Sequence, residues 1–219
     1  FYPINIKGYN FYGLGYPGCF VNETIKALSE RLAGEAPTNN VVIVHTALSG
    51  YDMFPGTVDR ETIDLLKNKV AYIAGGHFHS YSKYPEESPY FFIPGSLEYW
   101  DIAESVEGKG FIIFDTDTKT SVFYNSSPRK KIDIFITSDH SDFDSFKESF
   151  IEEADKYTIK QNEDIVYVKI KLLKSFNIDS AWIENYILSK GALKVAVKIR
   201  YPGDTSALDG KLRILGTDE

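Results

Sequence analysis

The chain has 219 residues, of which 43% are hydrophobic and 25% are charged, and this composition is typical of a folded globular protein rather than a disordered one. Its single cysteine, Cys19, excludes an intrachain disulfide. The formal charge of −7 argues against a surface devoted throughout to nucleic acid. No stretch has the pattern of a secretion leader or a membrane span, so we expect no membrane attachment and a cytoplasmic setting.

The charge changes along the chain and predicts two units. Residues 1–128 carry 9 basic and 15 acidic side chains, whereas residues 129–202 carry 13 and 12. We therefore predict one unit over residues 1–128, a second over residues 129–202, and a linker or tail over residues 203–219. The chain opens at Phe1 with a stretch that has the pattern of a fold interior, so we expect a fragment of a longer protein.

The first unit has an α/β pattern. The opening FYPINIKGYNFYGLGYPG predicts short strands and turns, and a helix follows, capped by Asn22 and closed by Gly34. VVIV predicts a buried strand that ends at His45. Residues 59–69 predict a second helix, and VAYIA predicts a second buried strand that leads into GGHFHS. PYFFIPGS, GKGFIIFDTD and TSVFYNS predict three successive strands that form an antiparallel flank of the sheet.

The second unit has a regular pattern of strands and helices. IDIFITS, DIVYVKIKLL and ALKVAVKIRY predict strands, and two amphipathic segments between them predict helices. The result is a β-α-β-α-β module of ordinary size for a small domain.

Three of the four histidines lie at the ends of the two buried strands: His45 after VVIV, and His77 and His79 in GGHFHS. A lone histidine at such a place is usually structural. Two imidazoles two residues apart, however, can converge on one metal ion or on adjacent ions. Gly75 and Gly76 allow a close backbone approach or a positive φ at this point.

VVIVH, AYIAGGHFHS, FFIPGSLEYWD and KGFIIFD resemble, in this order, the later motifs of the calcineurin-like metallophosphoesterases. The order and the Pro-Gly-Ser element are similar to those of the SbcD or Mre-eleven type nuclease of double-strand-break repair. The resemblance implies the C-terminal half of a metallophosphoesterase β-sandwich flanked by helices, followed by a small α/β (βαβαβ) cap. It also implies a manganese-dependent DNA exonuclease and endonuclease that hydrolyses phosphodiesters with two metal ions.

By this resemblance His45 and His77 bind one manganese ion and His79 binds the other. The family's earlier motifs, an Asp-x-His, a bridging aspartate and an Asn-His-Asp, do not occur in this chain, so we assign no catalytic residue. Three neutral imidazoles supply no bridging carboxylate, and imidazole favours zinc, copper or nickel over manganese. We therefore expect the chain alone to bind manganese weakly and to be inactive.

Other residues near these motifs have more ordinary interpretations. Gly95 would permit a tight turn, and Ser96 could donate to a phosphate. Ser80 and Tyr81 stand where relatives often carry a basic residue, so a phosphate contact there is in doubt. The acidic residues Glu98, Asp101 and Glu104 are expected in a solvated loop, and His140 is expected on the surface.

Basic residues on the second unit are the candidates for DNA contact. In a strand, alternate residues share one face, so Lys169 and Lys171 share a face of one strand, and Lys194, Lys198 and Arg200 share a face of another. Arg129, Lys130 and Lys131 lie at the junction of the units. Lysines on an exposed sheet face are also ordinary solubilising residues. Contacts of this kind would follow phosphates without reading sequence.

Two alternatives stay open: a metallophosphoesterase for small phosphoesters, and a non-catalytic DNA-binding module whose histidines are structural. By resemblance the parent protein also forms a homodimer and binds an SMC-like ATPase partner, through segments absent from this sequence.

Overall fold

The computed structural model describes residues 1–34, 39–49, 56–101, 104 and 108–204. The chain divides into two compact units: the first lies within residues 1–127, and the second takes the chain from Pro128 together with the short piece at Asp101 and Glu104. The predicted tail, residues 203–219, lies outside the described residues from residue 205 onward. Among the described helices, none combines the length and apolar character that a membrane span needs.

The first unit is a mixed α/β structure built on a six-stranded sheet of order β1-β2-β3-β6-β8-β7. Its strands in chain order are β1 (Ile4–Ile6), β2 (Tyr9–Gly15), β3 (Asn40–Val44), β4 (Ala47–Leu48), β5 (Thr57–Val58), β6 (Tyr72–Ala74), β7 (Ser82–Tyr84), β8 (Phe91–Ile93), β9 (Gly110–Asp115) and β10 (Thr120–Asn125). The four central strands β2, β3, β6 and β8 run parallel, and β1 and β7 are antiparallel edges. Strands β4 and β5 form a separate short parallel pair.

Both faces of this sheet are covered. A 3-10 turn (Gly18–Phe20) leads into helix α1 (Val21–Arg31), and the short helix α2 is Arg60–Asp64. Both helices share a core with alternate strand residues such as Val42 and Ile73. On the opposite face Tyr72 stacks on Phe92 of β8 and Phe114 of β9, with ring centroids 4.9 and 4.7 Å apart. Burial on both faces explains the continuous apolar runs in the sequence.

The structure corrects three details of the sequence-based prediction. Strand β8 is not grouped with β9 and β10, because it pairs parallel with β6 and antiparallel with β7, and β9 and β10 form their own antiparallel pair. Asn22 does not cap α1, because its side chain donates to the Asp59 carboxylate (2.8 Å) and accepts the Asp59 backbone N–H (3.1 Å). The second predicted helix is α-helical only over α2, and turns follow it.

The second unit has the predicted β-α-β-α-β order, which the structure confirms. Its elements are β11 (Lys131–Ser138), α3 (Phe143–Ala154), β12 (Ile165–Leu172), α4 (Ser180–Ser189) and β13 (Lys194–Arg200), and its three strands are parallel in the order β11-β12-β13. The Asp142 carboxylate accepts the Ser145 N–H (2.9 Å) at the start of α3, and Asp179 accepts the Trp182 N–H (3.0 Å) at the start of α4. These caps satisfy backbone donors that a helix start leaves unpaired.

The core of the second unit lies on one face of its sheet. Alternate strand residues such as Ile134 and Val168 share a cluster with Phe146 and Phe150 of α3 and with Ile183 of α4, and all five are fully buried. Both helices therefore cover the same face of the sheet. The opposite face carries the remaining alternate positions, and no helix within the described residues of this unit lies on it. Ile165 and Tyr167 on this face are nevertheless buried, and the ammonium of Lys131 donates to the Glu104 carbonyl beside it (2.8 Å).

Candidate metal centre and basic sheet face

Four neighbouring parallel strands of the first unit end at the same edge of the sheet, and three predicted site residues and one further residue, Tyr16, follow those ends. Tyr16 comes after β2, His45 after β3, His77 shortly after β6, and Ser96 shortly after β8. In an α/β sheet the carboxyl ends of parallel strands form the crevice where ligands bind. Because β3 and β6 are hydrogen-bonded neighbours, their two histidine loops are adjacent.

The rings of His45 and His77 lie against each other, with centroids 5.4 Å apart and planes at 80°. Gly76 makes this contact possible, because a Cβ on Gly76 would lie 3.0 Å from Nδ1 of His45. The carbonyl of the buried Thr46 accepts the Gly76 N–H (3.0 Å), so the two loops are also joined through their backbones. The predicted close approach at Gly76 is therefore confirmed.

His77 itself, rather than Gly75 or Gly76, has the unusual backbone, with a φ of +82°. Residues other than glycine adopt this conformation uncommonly, although asparagine, aspartate and histidine do so more often than the rest, and strained positions cluster at functional sites. Burial lowers the pKa of His77, and the neighbouring His45 and His79 lower it further. A lowered pKa favours the neutral imidazole, which is the form that binds a metal ion.

Tyr16 is a member of the site that the sequence did not single out. Its ring lies 5.6 Å from that of His45 and 6.1 Å from that of His77. Gly56 leaves room for it, since a Cβ there would lie 2.9 Å from the tyrosine hydroxyl. Only the pairing of β2 with β3 places Tyr16 here, and no local pattern signals that pairing.

His79 is held through its backbone. Its carbonyl accepts hydrogen bonds from the ammonium of Lys109 (3.0 Å) and from the Ser96 N–H (3.2 Å). Lys109 is 1% exposed and also donates to Oγ of Ser96 (2.8 Å), whose hydroxyl donates to the Glu98 carbonyl (2.7 Å). The His79 ring lies 6.2 Å from the exposed Trp100. The hydrogen bonds of the Ser96 hydroxyl are thus made within this loop. Lys109, like Tyr16, is a residue of the site that the sequence did not single out.

Gly95 has the positive φ of 78° that its place in the Pro-Gly-Ser turn requires. A Cβ at this position would lie 2.4 Å from the Gly108 carbonyl and 3.0 Å from the His79 carbonyl. The predicted tight turn is confirmed, and it packs backbone against backbone beside the second histidine loop.

The His45 and His77 pair fits two of the ligands of one metal ion. A metal ion about 2.1 Å from an imidazole nitrogen lies about 3.2 Å from the ring centroid, so two rings at a tetrahedral angle have centroids about 5.2 Å apart. The observed 5.4 Å is close to this value. Within the described residues, however, no group of three or more His, Cys, Asp or Glu side chains is placed to hold a metal ion. A complete site would need ligands from outside those residues.

The second unit brings both sets of predicted DNA-contact residues on its strands onto one face. We call this the open sheet face, formed by the alternate residues Lys131, Asp133, Phe135, Thr137, Ile165, Tyr167, Lys169, Lys171, Lys194, Ala196, Lys198 and Arg200. The register places Lys169 beside Lys198 and Lys171 beside Arg200. Arg129 and Lys130 are exposed immediately before β11. Ser96 belongs to the first unit.

One carboxylate lies among these cations. Asp133 is 3.6 Å from the ammonium of Lys131 and 3.4 Å from that of Lys169. Lys169 also lies 4.6 Å from the ring centroid of Phe135 and 4.5 Å from that of Tyr167. Burial, followed by the charges of Asp101 and Asp133, raises the pKa of Tyr167. The cations on the central strand are therefore interleaved with aromatic rings.

No protein-family model matches the chain, and a search of the curated proteins found no match. Its function therefore has to be argued from the geometry of these two regions.

Proposed function

We propose that this chain is part of a metal-dependent DNA nuclease of the SbcD or Mre-eleven type, with the metal site on the first unit and a DNA-binding cap in the second. The observation that best supports this is the pair of His45 and His77 at the ends of adjacent parallel strands, 5.4 Å apart. The first unit also has its sheet between helices on one face and a β-hairpin on the other, and the complete sandwich flanked by helices is part of the proposal.

In this proposal His45 and His77 hold one manganese ion and His79 contributes to a second. A bound cation would supply Lewis-acid activation of a phosphodiester. The chain's own contribution is to place the ligands. Gly76 leaves space for the His45 ring, and Lys109 fixes the loop of His79 through its carbonyl.

The donor set explains why we propose that the chain alone is inactive. His45 and His77 are neutral donors, and the described residues place no shared carboxylate beside them. Neutral imidazoles leave the positive charge of two close cations uncompensated, and they favour zinc over manganese. The remaining ligands would come from polypeptide outside the described residues.

Metal binding to the full chain tests the site. We expect cobalt(II), used as a spectroscopic substitute for zinc, to bind the wild-type chain, and we expect His45→Ala to abolish this binding. His77→Asn is the second variant, because asparagine tolerates the positive φ at that position. His140→Ala is the matched control, since His140 pairs with Ser149 (2.8 Å) in the second unit. Equal cobalt affinity in all four proteins would overturn the metal site.

A nuclease assay tests the incomplete donor set. We expect no cleavage of single-stranded DNA by the chain in manganese. Robust cleavage that His77→Asn abolishes would show that the chain holds a complete site and would contradict this part of the proposal. Cleavage that His77→Asn leaves unchanged would indicate a contaminating nuclease, and cleavage must then be measured again on repurified protein.

A further inference from the structure

The open sheet face has the features of a platform for single-stranded nucleic acid. We infer that it stacks a base on Phe135 and holds neighbouring phosphates with the cations of β12 and β13. The inference deepens the proposed function and rests on it for the link to a nuclease, because it names the form of nucleic acid that the cap takes.

The charge of this face is opposite to that of the whole chain. Six cationic side chains share the strand positions of this face with one carboxylate, Asp133, and a second acidic charge, that of Asp101, acts on Tyr167 of the same face. The formal net charge of the whole chain is −7. Lys171, Lys194 and Lys198 are exposed, and within the described part of the chain no ion pair involves them. A phosphate backbone is the complementary polyanion. A second copy of this face would bring like charges together, so the face is unsuited to pairing with itself.

Phe135 supplies an aromatic surface among these cationic side chains. Its side chain is 61% exposed, although it lies within β11. The ammonium of Lys169 lies 4.6 Å from its ring centroid, and this contact holds the ring at the surface. Stacking of bases on exposed aromatic rings beside cations is the usual mode of single-strand binding.

The strand register spaces these groups for a nucleotide chain. Phe135, Lys169 and Lys198 form one row across the three strands, and Lys171 and Arg200 lie in the next row. Two residues along a strand span about 6.8 Å. A base on Phe135 therefore leaves its flanking phosphates within reach of long, flexible cations on both rows.

A concave surface of about 370 Å³ lies at the carboxyl ends of β12 and β13 and continues the second row. Lys171, Arg200, Tyr201 and Asp204 are among its lining residues. Arg200 donates to the Asp204 carbonyl through Nε (3.3 Å), which fixes the guanidinium beside the opening. Carboxyl ends of parallel strands are the common ligand-binding edge of α/β units.

A single strand fits this arrangement better than a duplex. In a duplex each base is already stacked on its neighbours, so its face is not available to Phe135. The exposed ring of Phe135 instead accepts an unstacked base, as aromatic residues of sheet platforms for single strands do.

Fluorescence anisotropy with the full chain tests the inference, with EDTA present so that metal binding plays no part. The ligands are a short labelled oligothymidylate and a duplex of the same length. We expect the single strand to bind more tightly than the duplex. Phe135→Leu should weaken single-strand binding by roughly 5- to 150-fold, and Phe135→Tyr should retain it. Phe111→Leu, at another exposed phenylalanine on a strand, should have no effect.

The salt dependence tests the phosphate contacts separately. Lys198→Ala should reduce the slope of log affinity against log salt by about 0.7, the value for one phosphate contact of a single strand. Lys156→Ala, in the turn after α3, where Lys156 pairs with Glu153 (2.6 Å), should leave the slope unchanged. An equal slope in all three proteins would remove the phosphate contacts from the inference.

Two results would overturn the inference: tighter binding of the duplex, or equal single-strand affinity of Phe135→Leu and the wild-type chain. These failures are distinct from failure of the proposed function. If cobalt binding is independent of the histidines while Phe135→Leu weakens single-strand binding, the metal site fails and the platform stands. The opposite pair of results leaves the metal site and removes the platform.

Discussion

The two units use their sheets in different ways. In the first unit helices cover one face and the β9–β10 hairpin covers the other, so consecutive residues such as Val41 and Val42 are both buried. In the second unit α3 and α4 cover the same face, so buried Val168 alternates with half-exposed Lys169. The candidate chemistry of the first unit lies at the strand ends, and that of the second unit lies on a sheet face.

The difference follows from the number of covered faces. A strand buried on both sides has no position for a polar side chain, except where it leaves the sheet. His45 and His77 occupy such places. A strand position that faces away from the core can carry a cation without cost to the core, as Lys169 and Lys171 do in the second half of β12. In the first half of β12, Ile165 and Tyr167 on the same face are buried.

The largest expected effect is a loss of stability, and it tests whether the two units have separate cores. Phe150 is fully buried within the core of the second unit, so Phe150→Ala should destabilise that unit by about 3–5 kcal/mol. Hydrogen exchange should then show faster exchange in β11, β12 and β13 and unchanged exchange in β3 and β6. Phe135→Ala, at an exposed position of the same unit, is the control. Equal acceleration in both units would contradict the division into separate cores.

A smaller effect tests the tight loop beside the metal site. Gly95→Ala places a Cβ against the Gly108 carbonyl at a positive φ, so the free energy of unfolding of the first unit should fall by about 2 kcal/mol or more. Urea denaturation measures this change. Gly13→Ala is the control, because a Cβ at Gly13 meets no atom within 4 Å. Similar stabilities of the two variants would show that the turn is not rigid.

The second unit carries its cations on an exposed face, whereas Lys109 of the first unit is buried. Substitution of Lys109 tests whether this buried cation stabilises the loop of His79. Lys109→Met removes the ammonium that donates to the His79 carbonyl and to the Ser96 hydroxyl oxygen, and the Ser96 N–H remains as a donor to that carbonyl. The substitution should cost about 1–3 kcal/mol of unfolding free energy. Lys83→Met, which removes only the surface pair with Glu86, should cost less than about 1 kcal/mol. Denaturant unfolding of both variants compares them, and equal losses would argue against a positioning role for Lys109.

The smallest expected effect is on stability at high pH, and it concerns Tyr72 on the face of the first sheet that the β9–β10 hairpin covers. Burial, aided by Tyr81, raises the pKa of Tyr72 to about 12 from 10.0. Because the pKa of the folded state is the higher one, the stability linked to the neutral phenol is complete below pH 10 and is lost as pH rises towards 12. Between pH 8 and pH 11 the free energy of unfolding of Tyr72→Phe should therefore fall by about 1 kcal/mol less than that of the wild-type chain. Tyr2→Phe, at a fully exposed side chain, should follow the wild-type curve.

Local pattern in the sequence was enough to predict several parts of this protein. It predicted the order of strands and helices in the second unit, the alternation that places Lys169 and Lys171 on one face, and the positions of His45 and His77 at strand ends. Each of these depends on residues that are close in the chain, because side-chain period and turn chemistry are local properties.

The arrangement of these parts was decided only by the tertiary structure. Local pattern could not show that β2, β3, β6 and β8 are parallel neighbours, and β8 was wrongly grouped with β9 and β10. That order brings Tyr16 beside the two histidines. It is also only in the folded chain that Lys109 becomes buried against the loop of His79. The reason is that strand order and burial depend on contacts between residues far apart in sequence, which no local window of sequence contains.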